Sequence, residues 1–246
     1  YELALAKMEL ESFNIGFSLD DSLRDLILPE TTPTQELINR LAYFSTIDDK
    51  ETDYQRIIGH NRTRSVNQYL THWIYPYKGK FHPQMIRALL NIIKLNPGDA
   101  VLDSFIGSGT TAVEAQLLGI NCIGIDVSPM CVLQSRVKTR SYYAIDEIDS
   151  LKEEAKNHFV RTSFDSEQLN LFNSDSNPFG DFLDGIQSED AKNFYKIAHL
   201  VAISDYTRRR RKLCKSFIDN VDLMIASVKD QKRVVEELDL NMGQVD

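Results

Sequence analysis

The sequence is short of cysteine, of long apolar runs and, over one stretch, of negative charge. Its three cysteines, Cys122, Cys131 and Cys214, are scattered without the spacing of a metal site, and an odd number argues against a disulfide framework. No apolar run approaches the roughly 20 residues that a membrane helix requires, and no charged-then-apolar leader opens the chain. A cytoplasmic, soluble protein with no membrane partner is therefore expected. From Tyr54 to Gly98 there is no Asp or Glu at all. What is present suffices for a core: 246 residues with 42% hydrophobic content make one large domain or two modest ones and exclude a disordered chain.

The net charge of −8 counts against a polyanionic partner, because binding to phosphates is driven largely by Lys and Arg displacing counterions. The distribution of charge points the other way. Within the acid-free window, Arg56, Arg62, Arg64, Lys78, Lys80, Arg87 and Lys94 are interleaved with Tyr69, Trp73, Tyr75, Tyr77 and Phe81. A solvated basic loop accounts for the charges alone, whereas cations beside stacking surfaces suit a polyanion that carries bases. A second basic run, Arg208-Arg209-Arg210-Arg211-Lys212, falls inside a helical pattern from Asp205 to Leu238. It reads either as a solvated helix face or as a phosphate-contacting helix, since adjacent cations repel one another unless an anion is close. Arg62, Arg64, Lys78, Arg208, Arg209, Arg210 and Arg211 are the candidate nucleic-acid contacts.

The chemistry concentrates in the middle of the chain. Ala100-Val101-Leu102-Asp103 is a short apolar run ending in an acid, Gly107-Ser108-Gly109 is a tight turn, and Thr111 to Leu118 continues at helical spacing. Gly119 stops that helix, and Asn121 to Asp126 is a second apolar run ending in an acid. Strand, helix, strand at this spacing is a right-handed parallel βαβ unit, whose ligands sit at the carboxyl ends of the strands. Asp103, the glycine loop and Asp126 converge there, with Gly107 and Gly109 expected to let the backbone approach a ligand closely. The spacing up to Ala112 tolerates a nicotinamide dinucleotide, but a carboxylate at 103 would repel its pyrophosphate. That carboxylate suits a cationic amino or sulfonium group, and Asp126 suits a ribose diol, so the combination points to S-adenosylmethionine. Residues 1–70 read as a helical segment whose last part, Asp48 to Leu70, is a polar loop or linker. Residues 71–140 form the cofactor-binding half, and 141–246 are mainly helical until Val245-Asp246, where a further strand is expected. His82 is a candidate base or, with no acid nearby in sequence, a positioning residue.

Asp103-Ser104-Phe105-Ile106-Gly107-Ser108-Gly109-Thr110-Thr111 resembles the Asp-Pro-Phe-x-Gly-Ser-Gly-Thr-Thr signature of the S-adenosylmethionine-dependent amino-methyltransferases that modify cytosine N4 or adenine N6 in DNA. Gly124-Ile125-Asp126-Val127-Ser128-Pro129 is similar to their second cofactor motif, and Lys78-Gly79-Lys80-Phe81-His82-Pro83 to the one ahead of the first strand. Ser104 departs from the family's proline, which loosens the loop without removing the site. The resemblance implies an α/β fold with a Rossmann-like methyltransferase sheet, incomplete in this chain, and helical segments on either side. It implies that S-adenosylmethionine is held by Lys80, Phe81, His82, Asp103, Ser104, Phe105, Gly107, Ser108, Gly109, Thr110, Asp126 and Val127. It also places residues 141–246 where some members carry a target-recognition insertion, and it raises a restriction-modification setting. Related enzymes methylate guanine N2 in transfer RNA, and Leu5 to Glu11 is similar to the start of that group.

One motif of the family is missing. Its catalytic Asn/Asp/Ser-Pro-Pro-aromatic motif accepts hydrogen bonds from the target amine and stacks the flipped base. Asn177-Pro178-Phe179-Gly180 is the nearest string and lacks the second proline. The expectation is thus a DNA base methyltransferase, DNA preferred over transfer RNA as partner, whose catalytic strand lies in a longer enzyme or a second chain. A transfer RNA guanine-N2 enzyme and a non-catalytic cofactor- or nucleic-acid-binding remnant are the alternatives, with a nicotinamide enzyme behind them.

Overall fold

The computed structural model describes residues 1–21, 24–62, 65, 67–165 and 178–246. The chain opens with helix α1 (Glu2–Ser12), the small hairpin β1 (Ser18–Leu19) and β2 (Leu26–Ile27), helix α2 (Thr34–Arg40), and a second hairpin of β3 (Thr46–Ile47) and β4 (Lys50–Glu51). Helix α3 (Asp53–Gly59) follows, where the sequence suggests a polar loop. Thr52 caps it by accepting from Gln55 N–H, and Tyr54 and Ile57 are buried on one side, so a one-sided apolar stripe wins over a polar average. Helix α4 (Pro83–Ile92) has its proline at the first turn, where the missing N–H costs nothing.

The expected βαβ unit is present. Strand β5 (Ala100–Asp103) runs parallel to β6 (Asn121–Gly124), with Val101 opposite Cys122 and Leu102 opposite Ile123, and helix α5 (Thr110–Leu117) makes the crossover. Val245 forms a parallel bridge with Cys122, supported by Cys122 N–H to Gln244 O at 2.8 Å and Asp246 N–H to Cys122 O at 3.0 Å. This bridge adds one parallel pairing on the far edge of β6, where the sequence suggests a strand. Among the described residues these are the only parallel pairings, so the wide sheet the resemblance implies is represented by two strands and one bridge. Helices α4 and α5 cover one face through Ile86, Leu90, Ala112, Ala115 and Cys122, while Leu102 and Ile123 on the other face remain 59% and 49% exposed.

Residues 1–70 are tied to this unit by buried polar groups. Glu9 on α1 accepts from Ala42 N–H at 2.9 Å and from Asn91 of α4 at 2.7 Å, and Arg40 reaches Asn91 and the Leu95 carbonyl. After β6 come α6 (Pro129–Arg140), α7 (Ile145–Ser150), α8 (Lys152–Asp165), α9 (Pro178–Gly185), α10 (Glu189–Arg209) and α11 (Leu213–Glu237). Their core is aromatic: Phe159 stacks on Phe217 with centroids 3.9 Å apart, and Phe179 and Phe194 join it. Ile74 and Val137 belong to the same core and link it to residues 71–140.

The long helical pattern at Asp205 to Leu238 is broken in the structure. Arg210 adopts a left-handed conformation (φ 53°) and ends α10, so the basic run straddles the last turn of α10 and the turn that follows, and does not lie on one continuous helix face. Buried Asp205 is the reason: it accepts from Ser216 Oγ at 2.9 Å and Asn220 at 3.3 Å, pinning the start of α11 back onto α10.

Candidate cofactor site

The in-register pairing of β5 and β6 makes the two loops at their carboxyl ends leave the sheet side by side. Asp103 Oδ1 accepts from Phe105 N–H at 3.0 Å, which turns the chain into the glycine loop. Ile106 N–H donates to Ile125 O at 3.0 Å, and Gly107 N–H donates to Asp126 Oδ2 at 2.9 Å. The other oxygen of Asp126 takes Ser128 N–H at 2.8 Å. Asp126 is thus the joint between the two motifs. These N–H groups favour its charged form and hold its carboxyl below the usual carboxylate range. A carboxylate offers about four lone-pair sites, so both oxygens keep capacity for a hydroxyl-bearing ligand.

Gly107 and Gly109 both have positive φ, 52° and 79°. Their reasons differ. A Cβ on Gly107 would make ordinary contacts with the Tyr77 side chain at 3.6 Å and the Phe105 carbonyl at 3.7 Å, whereas one on Gly109 would lie 2.7 Å from Ser135 Oγ and 2.9 Å from Ser135 Cα. Helix α6, not a ligand, is what needs glycine at 109. The same helix holds the loop from behind: Lys138 Nζ donates to Ser108 O at 2.8 Å and Ser135 Oγ to Gly107 O at 3.3 Å. With the Gly107 carbonyl drawn toward α6, trans peptide geometry turns the Ser108 N–H away from it. Thr110 is buried in the first turn of α5, and Ser104 is exposed. Phe105 and Val127, one from each loop, are 83% and 97% exposed, an apolar rim on a polar cradle.

Lys80, Phe81 and His82 lie just ahead of α4. Lys80 Nζ donates to the carbonyls of Asn67 at 3.0 Å and His72 at 2.9 Å, and burial pulls its pKa down to about 8. His82 starts α4; its Nδ1 is buried without a partner, and burial lowers its pKa. Phe81 is 59% exposed. The 69–80 segment is locked by a group that sequence reasoning did not single out. Glu114 on α5 is fully buried and receives His72 Nε2–H at 2.8 Å, the Tyr69 hydroxyl, and Arg87 at 3.5 Å. Burial opposes its charge, but those donors outweigh it and hold the carboxyl below its ordinary value. Burial pushes His72 down to about 4, so the ring is neutral and Arg87 is the counter-ion. An acid in the middle of an otherwise apolar helix, facing an acid-free basic window, was the available signal.

The candidate nucleic-acid contacts scatter. Arg62 is bound through two nitrogens to Asp230 of α11, Lys78 is exposed beside the loop, and Arg64 lies outside the described residues. Arg208 and Arg209 are exposed in the last turn of α10, and Arg210 and Arg211 are exposed in the turn that follows. Pro178 begins α9 and Phe179 is buried against Phe159, so that string offers no aromatic to a base; Asn177 is outside the described residues.

Residues 32–136 match the family model described as DNA methylase, a span that holds all three motifs. Over this segment the chain is similar to the DNA methylase family. It is 43% identical over 93 residues to a type II methyltransferase of Methanocaldococcus jannaschii, covering 35% of this chain and 17% of that protein. A type II methyltransferase of Geobacillus stearothermophilus is 33% identical over 108 residues, 44% of this chain and 21% of the relative. A tRNA (guanine(10)-N2)-dimethyltransferase of Methanothermobacter thermautotrophicus is 29% identical over 80 residues, 32% and 24% of the two chains. The chain spans only about a fifth of the length of these curated relatives. No solved structure matches it. Among the described residues no helix is long and apolar enough to cross a membrane.

Proposed function

We propose that the chain carries the S-adenosylmethionine-binding part of a methyltransferase that modifies an exocyclic amino group of a DNA base, cytosine N4 or adenine N6. The observation that carries this reading is the joint at Asp126, which fastens the glycine loop to the end of β6 and leaves a half-buried carboxylate beside it. The residues fit the cofactor. Asp126 has acceptor capacity for a ribose diol, Asp103 keeps a second oxygen beyond the one that takes Phe105 N–H, and Phe105 and Val127 supply apolar surface for a purine ring. When bound, the cofactor supplies an electrophilic methyl group on a sulfonium. The protein's part is to orient that group: Asp103 and Asp126 hold its two ends, and the loop backed by Lys138 and Ser135 fixes the distance between them.

The acceptor half of the chemistry belongs to a strand with the paired-proline motif, seated on the open edge of β5 and contributed by a further segment or a second chain. Among the described residues no strand pairs with the outer edge of β5, and the exposed Leu102 and Ile123 beside it also support that placement. The larger share of the type II methyltransferase relatives favours DNA; the transfer RNA relative, matching a comparable share of the chain, is the reason to keep guanine N2 as the second reading.

Calorimetric titration with S-adenosylmethionine tests the core of the proposal. Binding is expected for the chain as it stands, with at least a tenfold loss in Asp126→Asn and no measurable binding in Asp103→Ala. Equal affinity in both variants, or binding of a nicotinamide dinucleotide in place of S-adenosylmethionine, would overturn it.

A further inference from the structure

The basic turn between α10 and α11 has a position that its sequence did not reveal. Helix α6 starts at the carboxyl end of β6 and runs back, so that Thr139 lies beside Gln116 in the last turn of α5. There Arg140 Nε meets Asp190 Oδ1 at 2.9 Å, which starts α10 at the amino-terminal end of the sheet. Helix α11 finishes at the same end, because Gly243 N–H reaches Gln116 O at 3.0 Å just before Gln244 and Val245 join β6. Pairings along α11 keep the same direction: Asp146 with Lys232, Asp149 with Lys229, and Lys152 and Lys156 with Asp222, in a steady antiparallel climb. One helix rises and the next descends. Their connection must lie on the side where the strands end, the side of the glycine loop and Asp126. With 25 residues, α11 is roughly 37 Å long against about 12 Å for α5, so the turn reaches past the loop.

The turn is built to present charge. Asp205, 6% exposed, pairs with Arg209 at 3.2 Å and Arg211 at 3.5 Å while fastening Ser216 and Asn220. Arg210 sits at φ 53° between them. Arg208, Arg210 and Lys212 are exposed and have no acidic partner among the described residues, and Tyr206 beside them is 44% exposed. In a chain of net charge −8, a fixed cluster of unpaired cations above the cofactor end is a phosphate contact surface.

We propose that the α10–α11 turn grips the phosphodiester backbone of duplex DNA beside the target base, through Arg208, Arg210 and Lys212, with Asp205 holding the turn in shape. This rests on the function proposed above for its choice of DNA. It assigns backbone contact and no base readout, because the cations stand on one short turn and not along a groove-filling helix.

The test is anisotropy of a labelled mixed-sequence DNA duplex titrated with the 246-residue chain over a range of salt concentrations. The triple variant Arg208→Gln, Arg210→Gln, Lys212→Gln should lose tenfold or more in affinity, and its slope of log affinity against log salt should fall by about two to three. A control removing equal charge elsewhere, Lys7→Gln, Lys50→Gln, Lys94→Gln, should change little. The surface is overturned if the unmodified chain shows no salt-dependent duplex binding, if both triples weaken it equally, if neither does, or if only binding of transfer RNA is weakened. S-adenosylmethionine titration of the same triple separates the two proposals: failure in the unmodified chain defeats the cofactor assignment alone, and retained binding with an unchanged salt slope defeats the turn alone.

Discussion

Single residues in this chain do work that their type does not announce. Gly109 looks like a ligand-approach glycine, yet its missing side chain is occupied by Ser135. Gly109→Ala should therefore cost more than about 2 kcal/mol, combining a left-handed alanine with a clash against backbone. Adding Ser135→Gly should recover only part of that in urea unfolding, because the contact with the Cα at 2.9 Å remains. His72 illustrates burial overruling a neighbouring charge. Its pKa is near 4 when folded and about 6.5 when unfolded, so the unfolded chain binds the extra proton. Stability from this residue is complete above pH 6.5 and is lost as pH falls toward 4, amounting to about 3 kcal/mol. His199, half-buried against Phe159 and Phe179, is also lowered to about 4 and adds a loss in the same direction. The urea midpoint measured against pH should have a shallower slope in His72→Gln than in the parent chain; an unchanged slope would mean that His72 binds its proton equally in the folded and the unfolded chain.

Elements owe their limits here to polar groups more than to propensity. The βαβ unit was legible because its periodicities switch cleanly from strand to helix and its glycines mark each end. The break at Arg210 was not legible: the residues on both sides favour helix, and the cause is a buried carboxylate that gathers Ser216, Asn220, Arg209 and Arg211 from the next element. Asp205→Ala strips that cluster of its acceptor and should destabilise the chain by about 1–3 kcal/mol. Amide exchange at residues 210–212 should accelerate by more than that at Phe159 or Val221, the sign that the turn opens before the aromatic core does. Helix α3 makes the same point on a smaller scale, with Thr52 and one buried stripe ordering a stretch of polar composition.

Among the described residues, helices pack on one face of the small parallel unit, while on the other Leu102 and Ile123 remain exposed. These two lie opposite each other, next to an edge of β5 with which no described strand pairs. Such surface binds hydrophobic dyes and drives self-association. The chain alone should enhance the fluorescence of an anilinonaphthalene dye, and Leu102→Ser with Ile123→Ser should reduce both that signal and the apparent mass in sedimentation. Addition of a segment carrying the paired-proline strand should have the same effect in the parent chain. No change on either treatment would argue against a strand being seated there.

The order of motifs, the parallel unit, the acid at each strand end and the absence of the catalytic motif could all be read from neighbouring residues, because each depends on local spacing. Even the pairing at Val245 announced itself in this way. The roles of Glu114, Lys138 and Asp205, the reason for Gly109, and the placement of the basic turn above the loop depend on groups brought together from distant parts of the chain. A buried charge is tolerable only where several donors meet it, and no window along the sequence shows which donors those will be. Folding settled that, and with it which of the chain's cations are spent on the structure and which face outward.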